Sequence, residues 1–283
     1  MKLVKTTAML VLLLSVLCCK TVETGAIVPP EPQAAAVEAP KVVSSLLDLI
    51  FVEGGSFSMG SEEGNPSEKP AHTVQVDGFY IGKYEVTQSQ WNQIMGASPT
   101  LDKGTGDKNP VYNVSWTDAV DFCNKLSIKE GLTPCYSGSG AGTECNFSAN
   151  GYRLPTEAEW EFAARGGIES KKYLYAGSNN EEEAGWYSGS SEGTTHEVGL
   201  KAPNELGLYD MSGNLWEWCW DWFDAKFYSS SPSKNPTGPE SGIYRVLRGG
   251  GWAIFADALR CTNRYYGAHR SDSSSGFRCA RTR

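Results

Sequence analysis

The side chains that could do covalent, redox or metal chemistry are few: three histidines in the whole chain and six cysteines beyond the first nineteen residues. His72, His196 and His269 stand in unrelated sequence settings, so we expect hydrogen-bonding or surface roles rather than metal ligation. Six cysteines allow fifteen pairings. The ten-residue spacing of Cys135 and Cys145, with glycines between them, predicts one disulfide. The six are Cys123, Cys135, Cys145, Cys219, Cys261 and Cys279.

Residues 253–275 carry side chains suited to recognition. The segment AIFADALRCTNRYYGAHRSDSSS shows no hydrophobic period of 2 or 3.6, which predicts a surface loop. It contains no Lys, Glu, Gln, Met or Trp, although ordinary surface solubility would favour Lys and Glu. Its mixture of Tyr, Phe, Ser, Gly and Arg is typical of a paratope, where rigid aromatics give contact area and small polar residues adapt. RVLRGGGW at 245–252 and GFRCAR at 276–281 bracket the segment.

The N-terminal region reads as a targeting signal followed by a spacer. A basic start precedes the apolar stretch 8–17, which is too short to span a bilayer. That stretch ends at Cys18 and Cys19, as in a lipobox, and lipidation of either cysteine would tether the chain to a membrane. An ordinary secretion signal is the alternative. We assign 1–19 to a signal peptide and the Pro- and Ala-rich 20–47 to a stalk, and expect a bacterial outer-membrane, cell-surface location.

The composition beyond the stalk indicates one domain, residues 48–283. The net charge of −8 argues against a nucleic acid as partner. High glycine and tryptophan contents, 31 and 9 residues, favour a loop-rich fold with aromatic anchors over a helical bundle. We expect a monomer.

The elements that must position these residues are short. Capping boxes predict helix starts at Thr87, Ser115 and Thr156, each with Gln, Asp or Glu three residues later. Alternation predicts strands at 72–76 and 243–247. These signals, separated by long irregular stretches, predict an α+β domain. The middle helix has a core face of Trp116, Ala119, Val120, Cys123 and Leu126.

Seven sequence blocks carry a family resemblance. They are FVEGGSFSMG at 51–60, GFYIGKYEVTQSQW at 78–91, NPVYNVSWTDAVDFCNKLS at 109–127, NGYRLPTEAEWEFAARGG at 150–167, GLYDMSGNLWEW at 207–218, RVLRGGGW and GFRCAR. Together and in this order they resemble the formylglycine-generating-enzyme, or sulfatase-modifying-factor, domain. The resemblance implies a variant of the C-type lectin fold with little regular secondary structure.

Enzymes of that family oxidise a substrate cysteine with two cysteines of their own. The first corresponds here to Ile254 and the second to Ala258 or Leu259, and a side chain without sulfur supplies neither a thiolate nor a soft metal ligand. A second branch holds iron with histidines of a helical domain, of which the sequence shows no sign. The resemblance therefore implies a non-catalytic member that requires no cofactor. An oxidoreductase or accessory factor with altered chemistry is the alternative.

A narrower resemblance explains residues 253–275. The frame RGG-x-W, LRC-x-NR and GFRC, with a variable run in each gap, resembles that of variable proteins diversified by retroelements, most closely a treponemal surface lipoprotein. Mutagenesis of AAY codons in such systems cannot yield Lys, Glu, Gln, Met or Trp. The resemblance implies a variable region of about 251–275 that binds a protein or another host or microbial surface ligand.

The resemblance assigns two groups of residues within and around this region. Phe255, Tyr265, Tyr266 and Arg270 would be the energetic anchors of binding, although half-buried packing is an open alternative for the two tyrosines. The fixed scaffold is Trp252, Leu259, Arg260, Cys261, Asn263, Arg264, Phe277 and Arg278. The binding patch is Ala253, Ile254, Phe255, Asp257, Ala258, Tyr265, Tyr266, Gly267, His269, Arg270, Asp272, Ser273, Ser274 and Ser275.

Calcium and disulfide assignments also follow from family position. The resemblance implies a Cys123–Cys279 disulfide, and it places the lost partner of Cys261 at Ala164. It also implies a possible calcium site with hard oxygen ligands, against the alternative that Glu217 bonds to buried groups of the fold. The calcium ligands would be Asp210, Gly213, Leu215 and Glu217.

Three functions remain as hypotheses. The first is a membrane-tethered ligand-binding protein with a hypervariable patch and no catalysis. The second is an enzyme or accessory factor, which would show a pocket of titratable groups with perturbed pKa values. The third is a structural envelope protein, which would expose no aromatic patch.

Overall fold

The computed structural model describes residues 46–268 and 273–283. The predicted signal peptide with Cys18 and Cys19, nearly all of the predicted stalk, and the patch residues His269, Arg270 and Asp272 lie outside the described residues. Within the described ranges, no helix combines the length and the hydropathy needed to cross a membrane.

Four short helices are present in the described residues, and three begin where capping boxes predict them. The hydroxyls of Thr87, Ser115 and Thr156 each accept a hydrogen bond from the backbone N–H three residues on, at 3.1–3.3 Å. These bonds satisfy amides that lack partners within the helix. The helices are α1 (Gln88–Met95), α2 (Trp116–Lys129), α3 (Glu157–Ala164) and the four-residue α4 (Glu181–Ala184), which the sequence did not predict.

The strands form two four-stranded and two two-stranded sheets. One large sheet has the order β1-β4-β12-β7 and the other β10-β9-β8-β11, while β2 pairs with β3 and β5 with β6. The strands are β1 (Leu49–Val52), β2 (Gly55–Met59), β3 (His72–Val76), β4 (Phe79–Gly82), β5 (Tyr136–Ser137), β6 (Glu144–Cys145), β7 (Tyr152–Arg153), β8 (Trp216–Trp222), β9 (Arg245–Arg248), β10 (Tyr265–Gly267), β11 (Ser275–Gly276) and β12 (Ala280–Thr282).

The α+β prediction is confirmed, with the bounds of one strand shifted. Strand 72–76 is observed as predicted, but β9 runs from Arg245 to Arg248 instead of from 243 to 247. Ile243 and Tyr244 form a bend and remain exposed, because the ladder with β8 starts at the pair Arg245 and Trp222.

The core divides into two main clusters, one around α2 and the other around α3. All five residues of the predicted α2 face are buried. Full burial of a large apolar side chain contributes about 1.5–3 kcal/mol, so this face alone fixes α2 against the strands beside it. The α3 cluster includes Trp160 and Val246 of β9, and it therefore supports the sheet that presents residues 253–275.

Candidate ligand-binding site

Glycines turn the chain from β9 into residues 253–275, the segment called the window below. Gly249 and Gly250 have φ values of 94° and 75°, in the left-handed region that favours glycine. A Cβ on Gly250 would lie 3.0 Å from the carbonyl oxygen of Ala258. The chain therefore passes directly beneath the window, and a side chain at Gly250 would push the two apart.

Arg248 fastens the middle of the window to the core. Its buried guanidinium donates to the carbonyl oxygens of Cys261 and Thr262, both at 2.9 Å, and to that of Asn263. It also donates to Oε2 of Glu161 at 2.5 Å. Burial disfavours the charge, but Glu161 raises the pKa of Arg248 above its ordinary value. One cation thus holds the fixed segment between the two predicted variable runs.

Two further arginines hold neighbouring loops against the window. Arg264 pairs with Glu157 at 2.6 Å and donates to the carbonyl oxygen of Ser67 at 2.7 Å. Arg260 donates to both carboxylate oxygens of Glu68, at 2.8 and 2.9 Å. Desolvation raises the pKa of Glu68, but the hydrogen bonds from Arg260, Thr262 and the backbone of Asn65, together with the charge of Arg260, outweigh it, so the pKa lies below its ordinary value. The loop containing Ser67 and Glu68 is therefore fixed beside the window.

The other residues assigned to the scaffold lie mostly inside. Leu259, Cys261, Asn263, Phe277 and Arg278 are buried. Trp252 is partly exposed, and its indole donates to the carbonyl oxygen of Ser273 at 3.2 Å.

A cavity of about 440 Å³ opens between the two predicted variable runs. This volume lies within the range of pockets that bind small ligands or single side chains. Its wall combines window residues with residues that sequence reasoning did not assign to the site, of which Asn65 and Trp216 are examples. The lining residues are Asn65, Trp216, Leu247, Gly251, Ala253, Ile254, Phe255, Asp257, Ala258, Asn263, Arg264, Tyr265, Ser274 and Ser275.

Most of the described patch residues are accessible, and two are not. Phe255 is 75% exposed, and Ala253, Asp257 and Ser273 are exposed as well. Ile254, Gly267 and Ser274 are partly exposed.

The predicted exposure of Ala258 and Ser275 is wrong, because both residues are buried. Ala258 belongs to a 3₁₀ turn that packs over Gly250, and Ser275 of β11 pairs with Trp216 of β8. Both residues line the floor of the cavity rather than its exposed rim, and their contact with a ligand stays a prediction.

The two window tyrosines are both packed and exposed. Tyr265 stacks on Trp216 with ring centroids 4.9 Å apart, and on Tyr266 at 5.4 Å. They nevertheless remain 50% and 42% exposed, respectively. Packing against neighbouring rings restricts their rotamers, so the tyrosines can contact a ligand without losing much conformational entropy.

No thiol lies at the positions of the family's catalytic cysteines. Ile254 lines the cavity and Ala258 and Leu259 lie beneath it. Cys261 is buried with Sγ 3.6 Å from the carbonyl oxygen of Ala164, and burial raises its pKa to about 12. Cys219 is also buried, and burial raises its pKa well above the ordinary value. These two thiols are therefore protonated and shielded at neutral pH.

The six cysteines are free thiols in the structure, so neither predicted disulfide is formed. The Sγ atoms of Cys123 and Cys279 lie 3.8 Å apart, compared with about 2.05 Å in a disulfide. Cys145 lies opposite Tyr136 in the β5–β6 pair, and Tyr136 directly follows Cys135 in the chain. In each pair the two cysteines are therefore near each other, and formation of the two disulfides stays a prediction.

The histidines in the described part of the chain make ordinary hydrogen bonds. A ring nitrogen of His72 lies 3.1 Å from the carbonyl oxygen of Pro70, and one of His196 lies 2.9 Å from that of Ser191. Among residues 46–268 and 273–283, no group of three or more His, Cys, Asp or Glu side chains could hold a metal ion.

The contacts of Glu217 do not suit a calcium ligand. Its carboxylate accepts bonds from the guanidinium of Arg278, both at 2.7 Å, and from the indole of Trp160 at 2.8 Å. Asp210 accepts a bond from the amide of Gly199 at 2.7 Å, while its other oxygen is buried without a partner among the described residues. Because Arg278 already balances the charge of Glu217, these residues fit calcium poorly, and the calcium site stays a prediction.

Comparison with known proteins finds similar sequences and a similar fold. The structure of Treponema denticola variable protein 1 has a TM-score of 0.77 and 36% identity, covering 83% of this chain and 95% of that one. Chaperone protein LppX of Paenibacillus barcinonensis is 40% identical over 237 residues, which are 72% of this chain and 78% of LppX. Formylglycine-generating enzyme of Streptomyces coelicolor is 31% identical over 329 residues, covering 90% of this chain and 96% of the enzyme.

Some relatives are longer. The chain spans 40% of the serine/threonine-protein kinase pkn1 of Chlamydia pneumoniae, with 35% identity. A family model for the sulfatase-modifying factor enzyme 1-like domain matches residues 33–283. The fold predicted from the seven sequence blocks is confirmed, and the chain belongs to the family of sulfatase-modifying factor enzyme 1-like domains.

Proposed function

We propose that this protein binds a ligand, without catalysis, through the cavity and rim formed by the window. The observation that carries the proposal is the exposure of Phe255 and Tyr265, which line a cavity of about 440 Å³, and of Tyr266, which stacks on Tyr265. Exposed aromatics at a pocket rim are typical energetic centres of binding sites. The likeness to Treponema denticola variable protein 1, at 36% identity, supports a variable binding surface on this scaffold.

Hypervariability is part of this proposal and has a physical basis. Arg248, Arg260 and Arg264 fasten the window through bonds to backbone carbonyls and to carboxylates outside it. Exposed side chains such as Phe255 contribute little to that framework. Substitutions on the rim can therefore change the partner while the fold is retained, as in a paratope.

Exchange of the exposed window residues for those of a sibling chain tests the binding function. Both chains, immobilised at equal density, are probed with one array of purified extracellular protein domains and neutral glycans. We expect different partners and unfolding free energies within about 1 kcal/mol of each other. Identical partners for both chains would refute the proposal, as would sibling genes whose differences are scattered over the whole chain.

The competing hypothesis is that the chain is an enzyme with altered chemistry, because relatives such as the Streptomyces coelicolor protein are named as enzymes. Ile254 stands where that chemistry needs a thiolate. Incubation of the chain with a cysteine-containing sulfatase peptide, oxygen, copper and a thiol that supplies the two further electrons needed to reduce oxygen, followed by mass spectrometry, should show unmodified peptide. Conversion of the cysteine to formylglycine would establish catalysis instead.

Display on the cell surface through a lipid anchor completes the proposal. Its support is the apolar stretch that ends at Cys18 and Cys19. Mass spectrometry of the mature N-terminus should find an acylated cysteine at one of these positions. A cleaved, unmodified N-terminus would indicate an ordinary secretion signal.

A further inference from the structure

An exposed apolar surface lies directly beside the window but outside it. Ile243 and Tyr244, which precede β9, are 75% and 39% exposed. The carbonyl oxygen of Tyr244 accepts a hydrogen bond from the amide of Phe223 at 2.8 Å, which ties this bend to the end of β8. We call Phe223, Ile243 and Tyr244 the aromatic flank. The backbone of the bend is therefore attached to the sheet at Tyr244.

The aromatic flank is continuous with the window through ring contacts. The ring centroid of Tyr266 lies 4.6 Å from that of Phe223 and 4.9 Å from that of Tyr244. Tyr266 in turn stacks on Tyr265, which stacks on Trp216 in the cavity wall. An unbroken series of rings therefore leads from the cavity to the flank.

The series of aromatic rings passes around the β10 edge of the sheet β10-β9-β8-β11. Tyr265 and Tyr266 are successive residues of β10, so their Cβ atoms point to opposite faces, yet their rings stack at an interplanar angle of 23°. In the described sheet, β10 is an edge strand with β9 as its neighbour. The two rings thus connect the cavity face with the opposite face, where Tyr244 and Phe223 lie, and a ligand at the rim can contact both.

The chemistry of the flank fits the side chains of a protein. Its accessible groups are aromatic rings, a phenol hydroxyl and the aliphatic side chain of Ile243, the most exposed of the three residues. Aliphatic and aromatic side chains of a partner gain from packing against this surface. A polyanion would meet a chain of net charge −8, and a glycan would gain little from contact with Ile243.

We propose that the aromatic flank is a constant part of the ligand-binding surface and that the partner is a protein presenting apolar or aromatic side chains to it. This proposal rests on the proposed function. The window then decides which protein is bound, while the flank contributes affinity to each partner. A fixed contact area of this kind compensates for rim substitutions that are not optimised for a given partner.

The probe for this proposal is a phage-displayed library of random linear 12-residue peptides, selected on the full wild-type chain. Enriched peptides are then measured against the single variants Tyr265→Ala, Tyr244→Ala and Ile243→Lys. Ile128→Lys is the matched control, since Ile128 is 66% exposed on α2 and α2 contributes no residue to the cavity. Each of the first three variants should raise Kd about tenfold or more, and the control less than about twofold.

The variants separate the two proposals. Weakening by Tyr265→Ala, with normal binding to Ile243→Lys, would overturn the role of the flank and support the proposed function. Weaker binding to Tyr244→Ala alone, with normal binding to Ile243→Lys, would also overturn the role of the flank, because it would show only that Tyr244 supports the ring of Tyr266. Normal binding to all three, or no enriched peptide, would overturn both proposals. Binding of neutral glycans instead of peptides, through the same residues, would overturn the partner class.

Discussion

Replacement of Arg248 by methionine should destabilise the chain by about 4 kcal/mol. The guanidinium donates to three buried carbonyl oxygens at 261–263 and to Glu161. A buried acceptor without a donor costs about 1–3 kcal/mol, and breaking a buried ion pair costs about 3–5 kcal/mol. Glu161 keeps the bonds from Arg165 and the amide of Gly60, which reduces the cost of breaking the ion pair. The separate costs do not add, because one guanidinium makes all of these bonds, and we therefore expect a total of about 4 kcal/mol, within the range for a broken buried ion pair.

Urea unfolding followed by tryptophan fluorescence in reducing buffer measures this difference. Equal m-values for both chains would show that only stability has changed. At about 2–4 °C per kcal/mol for a domain of this size, Tm should fall by about 8–16 °C. Phe255→Ser is the matched control in the window, because this exposed side chain should contribute less than about 0.5 kcal/mol.

The comparison tests the division of the region into a fixed frame and interchangeable side chains. A loss of stability in Phe255→Ser as large as that in Arg248→Met would show that the rim side chains hold the fold. A loss below about 1 kcal/mol in Arg248→Met would show that the window does not depend on its central arginine. Either result would refute the reasoning.

Three other predictions follow from buried groups. Cys219 and Cys261 should react with iodoacetamide at pH 8 at least about a hundredfold more slowly than in urea, because burial shields both thiols and raises their pKa; mass spectrometry that finds either one labelled rapidly in the native chain would contradict this. The lowered pKa of Glu68 stabilises the fold above its unfolded-state value of 4.5, and this contribution is lost as the pH falls through the folded-state pKa. Glu68→Gln should therefore flatten the decline of urea-measured stability below pH 4.5, and an unchanged slope would exclude this origin. Because Arg278 occupies both oxygens of Glu217, millimolar calcium added after chelation should leave Tm unchanged, and a rise that Glu217→Gln abolishes would establish the calcium site.

Local signals in the sequence predicted the helices well. A capping box such as Thr87 with Gln90 closes its bonds within four residues, so the pattern contains the whole interaction. The core face of α2 is likewise set by the helical period. The bend at Ile243 and Tyr244 was missed, because alternation of apolar residues does not show where a strand finds its partner.

The window was recognisable for a different reason. Its residue types are selected by something other than packing, and glycine-rich blocks bracket it, within which Gly249 and Gly250 make the turns seen in the structure. Composition, however, does not tell which side chains face outward. Ala258 and Ser275 belong to the same segment as Phe255, yet they form the cavity floor.

The sequence by itself determined the family, the α+β class and the absence of cysteine at positions 254, 258 and 259, since each depends on residue identity at a position or on spacing within a few residues. Only the tertiary structure decided the shape of the site. Asn65 enters the cavity wall because Glu68 binds Arg260, 192 residues away in the chain, and the aromatic flank meets the window because β9 pairs with β10. Contacts between distant segments depend on the packing of the whole chain, and no local pattern contains that information.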